Sequence, residues 1–264
     1  YDKAISMMVG RQLTQMYTCT HQPQNEEILR VEGLKISPRT EPISLNVHKG
    51  EVVGLGGLVG SGRTELAKSI FGVHPYYGGK IFYKGREITR PEPRGLIDDG
   101  LMYLTEDRKT EGLILQKDIS QNVTLASLSK LFPSSWIHPK VEDEKAQAMI
   151  EKLNIVCRSA RQKTGTLSGG NQQKVVLGKW LSTGAQMLIL DEPTRGVDVG
   201  AKAEIYEIID ELASQGVGIL MISSELPELI GMSDRIYVMR RGTISYEMTD
   251  KAEFTQEEIL SHTV

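Results

Sequence analysis

The stretch Gly57-Leu58-Val59-Gly60-Ser61-Gly62-Arg63-Thr64 has the residue types and spacing that wrap a phosphate. Glycines let a backbone turn tightly with its N–H groups aimed inward, and a helix starting directly afterwards turns its positive end to the same anion. Gly57, Gly60, Ser61 and Gly62 would form the cradle, Arg63 would clamp phosphate oxygens, and the Thr64 hydroxyl would meet Mg2+. A second group closes an apolar run at 187–190 with Asp191, Glu192 and Pro193. Ligands of open α/β sheets sit at the C-terminal edge of such strands. There Asp191 is placed to hold Mg2+ through its water shell, and Glu192 to orient or deprotonate an attacking water. Two acids that merely cap a strand and a helix are the plain alternative. A third group, Leu167-Ser168-Gly169-Gly170-Asn171-Gln172-Gln173-Lys174, opens a helix with a serine and two glycines, which is again anion-binding chemistry. Two loops that each start their own helix cannot cradle one phosphate. A pair of facing modules, each closing on nucleotide held by the other, removes the conflict.

The surrounding pattern supplies the elements those loops need. Short apolar runs at 28–34, 43–47 and 51–56 read as strands, the last running into the glycine cluster. Residues 79–89 read as a hairpin, and 100–104 as a strand ending at Thr105-Glu106-Asp107-Arg108. From about 113 to 165 helical spacing replaces the strand pattern, most clearly at 141–153, and marks a helical insert. Helices at 170–181, 201–213 and 226–232 then alternate with strands at 187–190, 218–222 and 235–239, followed by one more strand and a tail helix. That alternation predicts an α/β fold around a mostly parallel sheet.

Composition narrows the class. The chain has 264 residues, 39% hydrophobic and 25% charged, with a formal net charge of −3. It therefore reads as globular, with no apolar run near the roughly 20 residues of a membrane-spanning helix. Any meeting with a membrane is expected to run through another protein. No basic block or aromatic stripe is present to track a nucleic-acid backbone, so no nucleic-acid partner is expected. Cys19 and Cys157 lack metal-type spacing and read as buried or semi-buried thiols. Residues 4–17 have helical apolar spacing, and a polar run at 20–27 reads as a linker into the first strand.

These motifs together resemble the ATP-binding cassette family, whose signature is LSGGQ and whose domains pair head to tail around two nucleotides. The resemblance is closest to the second, C-terminal cassette of the tandem ATPases of bacterial monosaccharide importers of the ribose, galactose and xylose type. It rests on TEDRK at 105–109, LSGGNQQK at 167–174, DEPTRGVDVGAK at 191–202 and ISSE at 222–225, and covers nearly the whole chain. It implies a P-loop NTPase fold with an antiparallel β subdomain, a mostly parallel core sheet and the helical insert. It further implies ATP and Mg2+ as cofactors, and ATP hydrolysis coupled to carbohydrate import. Residues 1–24 would be the tail of an inter-cassette linker and 25–264 the nucleotide-binding domain. The implied partners are a first cassette on the same polypeptide, membrane permease subunits and, indirectly, a periplasmic or extracellular sugar-binding protein. The implied location is peripheral, on the cytoplasmic face of the bacterial membrane. Asp198 matches a loop that contacts the opposite cassette, with an ordinary helix cap as the alternative.

Three positions depart from the family pattern. Glu106 stands where a glutamine senses Mg2+ and the permease, Ser224 where a histidine contacts the γ-phosphate, and Arg63 where a lysine is usual. No aromatic residue at 34–39 is available to stack on adenine. Removing one positioned donor from a developing oxyanion costs on the order of 10²–10³ in rate. The expectation is a partly degenerate cassette whose own site turns over slowly while Ser168, Gly169 and Gly170 complete the partner's site. Rival readings are a nucleotide-gated regulatory half without hydrolysis, a cassette protein of DNA repair or translation, and, weakest, a kinase.

Overall fold

The computed structural model of the chain describes residue 17, residues 19–134 and residues 136–263. The chain opens with β1 (Glu27–Leu34), β2 (Ile43–His48) and β3 (Val52–Gly57), then α1 (Arg63–Ile70). The hairpin β4 (Lys80–Tyr83) and β5 (Arg86–Glu87) follows, and α2 (Pro93–Asp99) leads into β6 (Leu101–Leu104). The insert holds α3 (Ile119–Thr124), α4 (Leu128–Leu131) and α5 (Pro139–Lys152). The second half alternates α6 (Gly169–Leu181), β7 (Met187–Asp191), α7 (Val199–Ser214), β8 (Gly218–Ile222), α8 (Leu226–Met232) and β9 (Arg235–Arg240). β10 (Thr243–Met248) and α9 (Gln256–Ser261) end it.

Two sheets result. The larger has the order β10-β9-β3-β8-β7-β6, parallel throughout except for β10, and the smaller is an antiparallel β2-β1-β4-β5. Every residue of β7 and β8 is buried, as expected of parallel strands covered on both faces. Successive side chains divide between two cores because a strand alternates faces. Met102, Leu104, Leu188, Leu190, Ile219 and Met221 pack with the helices α6 and α7. Their neighbours Leu101, Tyr103, Met187, Ile189, Leu220 and Ile222 pack with α1 and the antiparallel sheet. The fold class expected from the motifs is the one observed.

The insert is helical, as its spacing predicts. Asp118 caps α3 and Gln121 returns the bond to the Asp118 backbone, satisfying two donors that a helix start would otherwise leave bare. Pro139 at the start of α5 sets the helical φ. The insert packs on α6, where Gly178 lies against Met149, Leu153 and Val123. The motion or placement of the signature loop at the head of α6 is thereby tied to the insert.

The polar run expected as a linker is held to the body. Asp210 of α7 accepts from the Thr20 hydroxyl at 2.6 Å and from His21 Nδ1 at 2.6 Å, while His21 Nε2 meets Asp234 at 2.8 Å. Tyr17 packs on buried Tyr206, ring centroids 5.0 Å apart and tilted by 40°, and its ring occupies the space beside Gly231 where a side chain would stand. Polarity alone reads as a linker; here the polar side chains meet two carboxylates, Asp210 buried and Asp234 partly so. Apart from Tyr17, the helix expected at 4–17 lies outside the described residues.

Candidate functional site

Gly57 to Thr64 runs from the end of β3 into α1, at the C-terminal edge of the parallel strands. Two of its glycines are sterically required. Gly57 has φ 146°, and a Cβ there would lie 2.5 Å from the Met239 carbonyl and 2.7 Å from Ser61 Oγ. Gly62, at φ 102°, precedes α1, and a Cβ there would lie 2.5 Å from Ile36 Cδ1. Any side chain would therefore have to displace backbone or core. Gly60, at φ 82°, stands in open space. The loop lines a cleft of about 400 Å³ with Glu65, Glu106, Glu192, Arg195 and Ser224.

β7 and β8 end on the same rim. Asp191 is fully buried, with Oδ2 accepting from the Tyr103 hydroxyl at 2.9 Å and Oδ1 left without a protein partner. Burial raises its pKa, and Glu192 adds to the rise, while the Tyr103 bond, the nearby Thr64 hydroxyl and the charge of Arg63 oppose it. A buried carboxylate oxygen without a partner, beside a threonine hydroxyl, fits a divalent cation. Thr64 and Asp191 would hold Mg2+, as their types suggest. The Ser61 hydroxyl is likewise buried and unpartnered, which fits a phosphate oxygen arriving at the glycine loop.

Glu192 takes a left-handed backbone, φ 51°, and anchors its N–H on the Ile222 carbonyl at 2.9 Å. For a residue with a Cβ this conformation costs on the order of 1 kcal/mol, and it turns the carboxylate into the cleft instead of along the strand. There Oε2 accepts from the Ser224 hydroxyl at 3.0 Å, and Oε1 lies 3.9 Å from Arg63 Nη2. Arg63 is 7% exposed, and its Nη1 donates to the Ser223 carbonyl at 2.6 Å. Burial lowers its pKa, opposed by Glu192 and Asp191. Two groups expected to face phosphate are thus engaged with protein: Arg63 with a backbone carbonyl, Ser224 with Glu192.

The signature residues lie at a separate helix start. Ser168 is exposed and caps α6, accepting from the Asn171 side chain at 2.9 Å. Gly170 is buried against Ala201 of α7, closer than a methyl at that position permits. Its missing side chain serves helix packing as well as any ligand. Asp198 caps α7, accepting from Ala201 N at 3.1 Å. Glu106 pairs with Arg195 on the cleft rim. The structure thus gathers Gly60, Ser61, Gly62, Arg63, Thr64, Glu106, Glu192 and Ser224 around one cleft, with Gly57 packed on Ser61 and buried Asp191 beside Thr64, and places Ser168, Gly169 and Gly170 at another helix start. Tyr103 and Arg195 belong to the first group but carried no signal of their own. Tyr103 sits within an apolar run, and Arg195 is one charge among several after Pro193.

Cys19 Sγ, His21 and Asp210 also come together, with candidate ligand atoms within 4.8 Å. Both ring nitrogens of His21 are already paired with carboxylates, and Cys19 Sγ donates to the Gly231 carbonyl at 3.1 Å with its pKa pushed up to about 11 by burial. The group is a hydrogen-bonded anchor.

A nucleotide-cradling loop, a buried metal-type carboxylate and a separate exposed serine-glycine helix start, on this pair of sheets, define a P-loop cassette. The ABC transporter family model matches residues 40–195, and the chain belongs to that family. Its relatives include the ribose import ATP-binding protein RbsA of Caldanaerobacter subterraneus subsp. tengcongensis, 48% identical over 260 residues that make up 98% of this chain and 52% of that protein. A putative ribose/galactose/methyl galactoside import ATP-binding protein of Agrobacterium fabrum is 43% identical, over 99% of this chain and 52% of its own. The chain spans about half the length of these curated relatives. Among solved structures, an ATP-binding cassette of an ABC transporter in its ADP conformation superimposes with TM-score 0.76 at 26% identity, over 90% of this chain and 98% of the other. No helix among the described residues is long and apolar enough to cross a membrane.

Proposed function

We propose that this chain is the second, partly degenerate cassette of a tandem monosaccharide importer ATPase, whose signature loop completes the ATP site of the first. One contrast carries the reading. Ser168 is exposed and presented at the head of α6, while two groups of the chain's own cleft, Arg63 and Ser224, are bound to the Ser223 carbonyl and to Glu192. Importer function is supported by relatives named for ribose and galactose import and by the motifs at 105–109, 167–174, 191–202 and 222–225. Permease subunits, with a sugar-binding protein behind them, are the partners this reading requires, and the membrane's cytoplasmic face is the place. The same reading takes residues 1–24 as the tail of an inter-cassette linker and 25–264 as the nucleotide-binding domain.

In its own site the loop amides from Gly57 to Thr64 would bind the phosphates of ATP, and Thr64 and Asp191 would hold Mg2+. An ion held there would supply charge neutralisation at the phosphates. Glu192 would orient the water, but its Oε2 is held by Ser224 and its Oε1 faces Arg63. To act as a base it must give up the Ser224 bond, and to bind the γ-phosphate Arg63 must leave Ser223. Those two competing contacts favour slow turnover in this site, and they also give weight to a second reading, a regulatory half that is gated by nucleotide without hydrolysing it.

Titrating the chain with ATP, with and without Mg2+, tests the binding core, and failure to bind ends the proposal. ATPase assays then compare the chain with the Arg63→Lys, Ser224→His double variant. The degenerate-site reading expects at least a tenfold gain in the variant, and robust turnover by the unmodified chain would overturn it. Any residual activity lost in Glu192→Gln assigns the chemistry to this cleft; activity unaffected by that change leaves the regulatory half. Ser168→Arg in the longer tandem protein should abolish transport-coupled hydrolysis while nucleotide binding at Gly57–Thr64 persists.

A further inference from the structure

We propose that Arg108 is a positioning residue that links this chain's own nucleotide cleft to the signature loop at the head of α6. The guanidinium reaches from the loop after β6 to the loop after β7. Its Nη1 donates to the Arg195 carbonyl at 2.6 Å and its Nη2 to the Gly196 carbonyl at 3.1 Å. The planar fork matches two successive carbonyls, which a lysine ammonium cannot do. The same Nη2 fills the space where Gly169 lacks a side chain, since a Cβ at Gly169 would stand 2.8 Å from it and 3.1 Å from the Gly196 carbonyl. Three loops therefore meet at one side chain: the loop of Glu106, the loop that leaves Glu192, and the first turn of α6.

The other end of this linkage lies in the cleft. The Arg195 backbone is gripped by Arg108, while the Arg195 side chain pairs with Glu106, and both Arg195 and Glu106 line the cleft beside Thr64 and Glu192. Glu106 and Arg195 side chains are 41% and 62% exposed, so their pair is weak and readily exchanged. A metal-nucleotide arriving in the cleft offers Glu106 a competing cation and Arg195 a competing anion. The carbonyls on Arg108 are the firmer contacts, because two parallel bonds hold the guanidinium and the side chain is partly withdrawn from water. Displacement of Arg195 is thus passed through its backbone to Arg108 and on to Gly169. A second tether, Lys179 Nζ to the Gly112 carbonyl at 2.7 Å, holds the far end of the same loop to α6, so loop and helix move as one body. The linkage is a property of this chain; its consequence for the partner's ATP rests on the function proposed above.

Hydrogen exchange of the peptide spanning 167–174 tests it in the chain itself, with Mg-ATP as the probe. Unmodified protein should show a changed exchange rate on nucleotide addition, at least threefold. In Arg108→Met that change should vanish, although the affinity of the cleft, measured with a fluorescent ATP analogue, stays within about twofold. Arg108→Lys, which retains one donor and the charge, should recover part of the response and serves if the methionine variant fails to fold. No change in the unmodified chain, or an undiminished change in both variants, overturns the proposal. In the tandem protein, Arg108→Met should lower kcat with KM little changed. Hydrolysis that survives Ser168→Arg would refute the partner-site reading alone and leave the exchange result standing.

Discussion

The buried glycine of the signature makes a stability prediction that separates packing from ligand binding. Gly170 is the second residue of α6, and a Cβ added there would stand less than 3.0 Å from the Ala201 Cβ in the first turn of α7. Carbon atoms pack best at about 3.5–4.0 Å, so Gly170→Ala forces the two helix starts apart by at least roughly 0.5 Å. Both are fixed: α6 by Gly178 on the insert, and α7 by Ile205, Ile209 and Leu212 in the helical core. Overpacking of this kind costs about 1–3 kcal/mol, and the better helix propensity of alanine returns up to about 1 kcal/mol. A net loss of about 1–2 kcal/mol follows, or roughly 2–6 °C in Tm for a chain of this size.

The partner change makes the argument specific. Ala201→Gly alone loses helix propensity, about 1 kcal/mol or less near a helix end. In the double variant the clash is gone and the two propensity changes nearly cancel, so stability should return to within about 0.5 kcal/mol of the unmodified chain, whereas additivity predicts a loss of about 2–3 kcal/mol. Urea unfolding of the four proteins measures this coupling. A Gly170→Ala chain as stable as the unmodified one, or a double variant no better than the sum of its parts, would refute the packing role.

Asp191→Asn should raise the stability of the nucleotide-free chain at pH 7, because burial raises the Asp191 pKa and its ionised form weighs against folding. The gap should close as pH falls through that raised pKa, and the Mg2+-dependent part of nucleotide affinity should be lost; a drop in stability at pH 7 would contradict this. His21→Ala should destabilise by about 3 kcal/mol by removing the imidazole that Asp210 and Asp234 share. Burial lowers the His21 pKa, but its bonds to Asp234 and Asp210 outweigh that and raise it, whereas the same bonds depress both aspartates. The loss should therefore be full between the ordinary carboxylate and imidazole ranges, fading as pH rises through the raised His21 pKa and as it falls through the depressed aspartate pKas. Lys251, 3.4 Å from Asp234, and Cys19 are the other titratable groups at this anchor, and a difference that does not vary with pH would argue against a charged His21.

How much of this was legible in the amino-acid order follows from what kind of interaction each feature uses. Strand and helix order could be read because burial on both faces makes β7 and β8 unbroken apolar runs, while α5 and α7 keep one apolar stripe. The cleft could be read because phosphate chemistry demands glycines, a hydroxyl and carboxylates at fixed offsets from a strand end. Arg63 bound to the Ser223 carbonyl could not, since a backbone oxygen looks alike at every position. His21 was invisible for a related reason: its partners lie 189 and 213 residues away, and a polar run that anchors on distant acids has the composition of a linker. Gly170 shows a subtler limit. A glycine in an anion-binding signature and a glycine at a helix crossing are the same letter, and only the position of Ala201 tells that this one is doing the second job. The features that escaped are those in which a residue answers to a backbone atom or to a distant surface.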